Sequence, residues 1–315
     1  MNMKGTNRQP FFNKLLGAPT PAKASGLAYS LAVLLPSVVA FIAVAIFFAC
    51  GWMQEGYDKQ DWFIYFNFVL PQLCFALTAF FALRYANVSL GSTMQKQKCP
   101  FRYFGIAVLL QIGLFSFSEL NTLFLEFLEG FGYTPEEIRL PSTNGWGFIG
   151  ALIAVALLPA VFEEILFRGV LLGGMKQFGE VKAALLCGAL FALYHQNPPQ
   201  TVYQFICGTA FAFIAMRSGS ILPTMLSHFL NNAFILCLYA FNVQTFPTPI
   251  YVVYIVVSVL CLLAAVWFLW RDKKIQDNTS KQKADKAEVK NFFRFAAVGI
   301  AVCALTWLLV LLTGM

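Results

Sequence analysis

The sequence predicts an all-α membrane protein, a polytopic helical bundle of about eight or nine transmembrane helices. Three observations carry that prediction. Hydrophobic residues make up 59% of the 315 and charged residues only 12%, against roughly 45–50% and 25% in a soluble domain. The apolar residues come in continuous runs able to cross ~30 Å of hydrocarbon, without the alternation of barrel strands. Lys and Arg collect in every second connection between those runs.

The runs lie near Ala28–Cys50, Trp62–Leu83, Tyr103–Ser118, Trp146–Met175, Ala183–His195, Val202–Met216, Ile221–Phe241, Ile250–Trp270 and Phe292–Leu312. The fifth and sixth are short. Between the third and fourth, Glu119 to Thr143 is polar and acidic, with Leu123, Phe124 and Phe127 interleaved, as in an interfacial helix or loop. The organisation is thus a cytoplasmic tail over 1–27, N-terminal helices and an outer loop over 28–145, and a central core over 146–241. A further helix covers 242–271, a basic, solvated linker 272–291 and a C-terminal helix 292–315, which looks like an appendage to an eight-helix body. The N-terminus makes a poor signal peptide, because the apolar run after its basic tail is too long for an h-region.

Charge gives the orientation. Lys4, Arg8, Lys14 and Lys23 lie in the tail, Arg84, Lys96, Lys98 and Arg102 in the second connection, and Lys176, Lys182 and Arg217 further on. A dense basic group follows the eighth run, from Arg271 to Arg294, while the alternate loops hold only Lys59 and Arg139. The N-terminus is expected in the cytoplasm and the C-terminus outside, in the plasma membrane of a prokaryote. The net charge of +7 is then a topology signal. It does not point to nucleic acid, since the basic residues lack the interleaved aromatics of a stacking surface. Eight scattered Cys without a C-x-x-C pair argue against a zinc ribbon or a disulfide framework.

Ionisable residues deep in apolar helices are costly, and five occur here: Glu163, Glu164, Arg168, His195 and His228. Adjacent Glu163 and Glu164 project ~100° apart on a helix, so they cannot serve one point equally. Glu164 and Arg168 stand four apart with the acid N-terminal, the favoured order for a self-neutralising pair. That pairing leaves Glu163 without a partner on its own helix. His228 and Asn232 are also four apart and can face one cavity. Counted from the nearest basic residues, Glu163, His195, His228 and Asn232 all sit about 16–23 Å above the cytoplasmic charges. Three helices therefore bring a carboxylate, two imidazoles and an amide to one layer.

Other features have structural readings. Asn231 joins helices by hydrogen bonding. Gly173-Gly174, Gly208 and Gly219 allow close approach or turns, Pro198-Pro199 ends the fifth helix, and Pro36, Pro71 and Pro159 mark kinks.

The ordered set Glu163-Glu164…Arg168, Phe191…His195 and His228…Asn232 resembles the E-E-x-x-x-R, F-x-x-x-H and H-x-x-x-N signature of the CPBP family, the intramembrane proteases related to the CAAX prenyl endopeptidase. The resemblance covers about Ile149 to Ala240. It implies a glutamate-dependent endopeptidase acting on a membrane-associated protein or peptide without an obligatory metal. Glu163 and His195 would activate the attacking water, His228 and Asn232 would hold the oxyanion, and Glu164 and Arg168 would support them. Physical chemistry agrees: a carboxylate shielded from water is a stronger base, and N–H donors in a dry cavity stabilise developing negative charge.

Zinc has to be weighed, since His195, His228 and Glu163 could supply two imidazoles and a carboxylate. H-E-x-x-H is absent and Asn232 is a poor zinc ligand, so no cofactor is expected. Two other classes compete: a silent membrane scaffold or bacteriocin self-immunity protein of the same fold, and a transporter or proton relay. The complete motif set favours the enzyme, and no inverted repeat is visible to favour transport.

Overall fold

The computed structural model describes residues 19–88, 99–136, 138–272 and 285–315. Nine helices follow one another through them, with no β-strand. They are α1 (Pro21–Ala49), α2 (Asp61–Ala86), α3 (Arg102–Glu129), α4 (Trp146–Phe178), α5 (Glu180–Tyr194), α6 (Thr201–Ser218), α7 (Leu222–Ala240), α8 (Thr248–Arg271) and α9 (Lys286–Thr313). Each answers to one apolar run, and the chain is an integral membrane protein. Six of the nine, α1 to α4 with α8 and α9, are long and apolar enough to span. At 15 residues, α5 reaches only ~22 Å. In α7, His228, Asn231 and Asn232 interrupt the apolar run. Helices packed among other helices need not present a full apolar length to lipid.

Local chemistry sets the boundaries. Thr20 Oγ1 accepts from Lys23 N and Pro21 takes the first helical position, so α1 starts before the first apolar run. Asp285 Oδ1 accepts from Ala287 N, so α9 begins at Lys286, within the stretch read as linker; 273–284 lie outside the described residues. The acidic stretch after the third run prolongs α3 through one tight turn at Phe115–Phe117, burying Leu128 and exposing Leu123 and Phe127.

Charged contacts sort the helix ends into two layers, as the loop charges require. At one end Arg102 at the start of α3 pairs with Asp272 after α8 (2.7 Å), and Arg217 of α6 pairs with Glu180 of α5. At the other, Arg139 meets Asp58, and Asp61 Oδ1 accepts from Ser142 N at 3.0 Å. Thr134 N donates to Gly314 O at 2.7 Å, which ties the C-terminus to this second layer.

The C-terminal helix is not an appendage. Ser30 of α1 sits between two turns of α9, donating to Phe295 O at 2.7 Å and accepting from Gly299 N at 3.1 Å. A Cβ on Gly299 would come within 2.8 Å of Ser30 Cα, so only glycine permits this approach. Phe292, Ala296 and Cys303 then join the same core as Tyr29, Phe167 and Phe191. Hydropathy cannot reveal this, because the contact depends on small residues inside two apolar runs.

Candidate active site

Two π-helical segments, Leu152–Leu157 and Ile165–Leu171, bracket the stretch of α4 that ends in Glu163 and Glu164. Such widened turns leave backbone groups to be satisfied from outside the helix and recur at functional sites. Pro159 adds to the effect, since it has no N–H to offer the carbonyl four residues back, that of Val155. Asn232 Nδ2 donates to Val155 O at 3.1 Å, tying α7 to α4 one turn beyond His228.

The ionisable residues converge as the sequence expects. Arg168 Nη1 donates to Glu164 Oε1 at 2.6 Å, and both side chains are completely buried. The guanidinium also donates to Gly208 O and lies over the rings of Phe191 (4.5 Å) and Phe211 (5.2 Å). Gly208 can come so close because α5 and α6 meet at Gly188, where a Cβ would stand 2.1 Å from Thr209 Oγ1. His228 Nδ1 lies 2.9 Å from the same Glu164 oxygen. A carboxylate only accepts, so Nδ1 carries a proton. The other ring nitrogen, Nε2, faces Glu163 Oε2 across 3.9 Å. That gap is too long for a direct hydrogen bond and suits a shared water or substrate oxygen. His195 Nδ1 donates to Phe191 O at 2.8 Å, which leaves Nε2 as its free nitrogen within electrostatic range of Glu163. Phe191 lies against both imidazoles, with ring centroids at 4.7 and 6.0 Å. This aromatic of the second motif is the surface on which Arg168, His195 and His228 are assembled.

The two glutamates differ as their helical positions suggest. Glu164 is sealed at 0% side-chain exposure, while Glu163 keeps 10% and His228 7%. One expectation needs revision: Glu164 does not merely neutralise Arg168, because it also orients His228. The donor to Glu163 comes from another helix, as Gln72 Nε2 of α2 donates to its Oε1 at 3.0 Å. Asn232 stands half-buried beside the cluster, with Oδ1 accepting from Asn231 Nδ2 at 3.0 Å. Asn231 joins three helices, accepting from Gln111 Nε2 of α3 at 2.9 Å and from Tyr203 OH of α6 at 2.8 Å.

Sequence reasoning missed Gln72, Gln111 and Tyr203. The available signal was an amide within an apolar run, Gln72 beside Pro71 in the second and Gln111 in the third. It also missed how α9 holds the turn after His195. Gln196 has φ 51°, unusual for a residue with a side chain. Its Nε2 donates to Cys303 Sγ at 3.4 Å, and Trp307 Nε1 donates to Thr201 Oγ1 at 2.8 Å. Among the described residues, no three His, Cys, Asp or Glu side chains gather as metal ligands.

Residues 145–234 match the model of the family described as Type II CAAX prenyl endopeptidase Rce1-like. The matched segment contains Glu163, Glu164, Arg168, His195, His228 and Asn232, so the resemblance carried by the three motifs is shown for it. No curated protein and no solved structure gives a match. Helices α1 to α3, α8 and α9 lie outside the segment.

Proposed function

We propose that this chain is a CAAX-type intramembrane endopeptidase that hydrolyses membrane-associated protein or peptide substrates with a glutamate-activated water. The matched family supports peptidase activity in general. One observation carries the finer reading. Of two adjacent buried carboxylates, Glu164 is sealed against Arg168, whereas Glu163 keeps an accessible oxygen opposite His228 Nε2.

In this reading Glu163 Oε2 takes a proton from water while the free Nε2 of His195 orients that water. The hydroxide attacks the scissile carbonyl carbon and its oxygen becomes an oxyanion. His228 Nε2 and the second N–H of Asn232 donate to that oxyanion. For Nε2 to donate, the His228 ring must carry both protons. Glu163, Glu164, Arg168 and His228 then sum to zero charge, which a low-dielectric bundle tolerates. When the C–N bond breaks, the leaving nitrogen takes the proton held by Glu163. The products are a carboxylic acid and an amine, which become carboxylate and ammonium when the acid's proton passes to the amine, and no metal is needed.

The test is a comparison of protein termini in membranes carrying the wild type or Glu163→Gln, with a farnesylated peptide ending in a CAAX tail as the first purified probe. New termini that vanish in Glu163→Gln at equal protein level support the reading. Identical termini in both overturn it.

A further inference from the structure

The catalytic layer has a neighbour that none of the three motifs contains. Gln72 lies on α2, 91 residues from Glu163, and is 5% exposed. Its Nε2 donates to Glu163 Oε1 at 3.0 Å, while its own Oε1 has no hydrogen-bond partner among the described residues. The amide orientation follows from chemistry, because an ionised carboxylate offers no proton for Oε1 to accept. A buried amide held only for packing is ordinarily satisfied on both sides. Here its one bond goes to Glu163.

From this geometry we infer that Gln72 is a positioning residue, holding Glu163 Oε1 so that Oε2 faces His228 Nε2 and the reacting water. The inference rests on the reading of Glu163 as the base. The other groups around Glu163 are charged, titratable or committed elsewhere. His228 of α7 stands 3.9 Å away, His195 and Tyr194 of α5 lie in electrostatic range, and Glu164 and Arg168 of α4 are bonded to each other. Gln72 supplies a neutral donor that fixes the place of Oε1 and brings no charge of its own. It comes from outside the matched segment 145–234, so α2 completes a site that the segment alone leaves open.

A test that needs no substrate uses the full chain in detergent with dicyclohexylcarbodiimide, which modifies protonated carboxyl groups in apolar surroundings. Labelling of the peptide containing Glu163 is followed by mass spectrometry near neutral pH, with Glu163→Gln as the blank. Gln72→Met keeps the volume and removes the donor. Labelling should rise about tenfold, the lower end for losing a hydrogen bond to a charged group. Gln72→Glu keeps the shape, makes two carboxyl groups share a proton, and should raise labelling as well, so the test survives misfolding of either variant. On a cleaved substrate, Gln72→Met should lower kcat about tenfold with KM unchanged. Unchanged labelling in both variants overturns the inference. Full cleavage by Glu163→Gln overturns instead the reading of Glu163 as base, so the two failures are told apart.

Discussion

The segment 145–234 and the helices that flank it build the same layer by different means. The segment contributes charge: Glu163, Glu164, Arg168, His195 and His228 all belong to it, and the spacing of four puts Glu164 and Arg168 on one helix face. The flanking helices contribute neutral contacts. Gln72 comes from α2, Gln111 from α3, and Cys303 and Trp307 from α9. A buried charge needs its counter-charge close by, so such residues recur at short, readable spacing. A neutral amide or sulfur needs only one partner, which can come from any distance along the chain. The ionisable groups are thus concentrated in one segment, while the neutral contacts that hold them are spread over the rest.

The largest effect expected of that division is on rate. His195→Ala should lower cleavage about 10²–10⁴-fold, the usual loss when a group assisting proton transfer is removed. Its melting temperature should stay near that of the wild type, because among the described residues the His195 ring makes one hydrogen bond, to the carbonyl of Phe191 one turn back. A loss of folded protein matching the loss of rate would make His195 a structural residue.

Glu164→Gln should come next, through stability. Removing one partner of a buried pair costs roughly 3–5 kcal/mol, since Arg168 is left uncompensated. Adding Arg168→Met should restore much of that in thermal melts. It should not restore cleavage, because His228 Nδ1 still lacks its carboxylate. Recovery of both would mean that Glu164 serves Arg168 alone.

Smaller effects sharpen the comparison from the flanking side. Gln111→Leu should destabilise by about 0.5–1.5 kcal/mol, the net worth of one hydrogen bond, because Tyr203 OH still donates to Asn231 Oδ1. Trp307→Phe removes one bond to the turn after His195 and should cost about 0.5–1.5 kcal/mol. Gly173→Ala should be neutral or stabilising by about 0.5–1 kcal/mol, since nothing lies within 4 Å of the added Cβ. The close-approach reading of that glycine is therefore replaced by one of open space, while Gly174, where a Cβ would meet Ser25 Oγ at 2.0 Å, retains it.

The same contrast explains what was legible beforehand. The apolar runs located the nine helices of the described residues, because a helix packed among other helices is apolar as well as one that faces lipid, although only six are long and apolar enough to span. The Glu164–Arg168 pair was readable from its spacing, and the turn after His195 from Pro198-Pro199. Gln72 was not, since a single amide between Pro71 and Leu73 has no periodicity to betray its partner. The place of α9 was hidden too. Its contact depends on Ser30 and Gly299, small residues that hydropathy counts as neutral. Two roles of one residue were equally invisible: Glu164 Oε1 accepts from both Arg168 and His228, and spacing can show only the partner on its own helix.

The most direct test of the central claim, that adjacent carboxylates divide into a reactive Glu163 and an anchoring Glu164, is the cleavage rate of Glu163→Gln measured beside its thermal stability in detergent. The account predicts a loss of about 10²–10⁴-fold in rate at an unchanged melting temperature. A variant that still cleaves at the wild-type rate, or one that loses activity only because it unfolds, would contradict it.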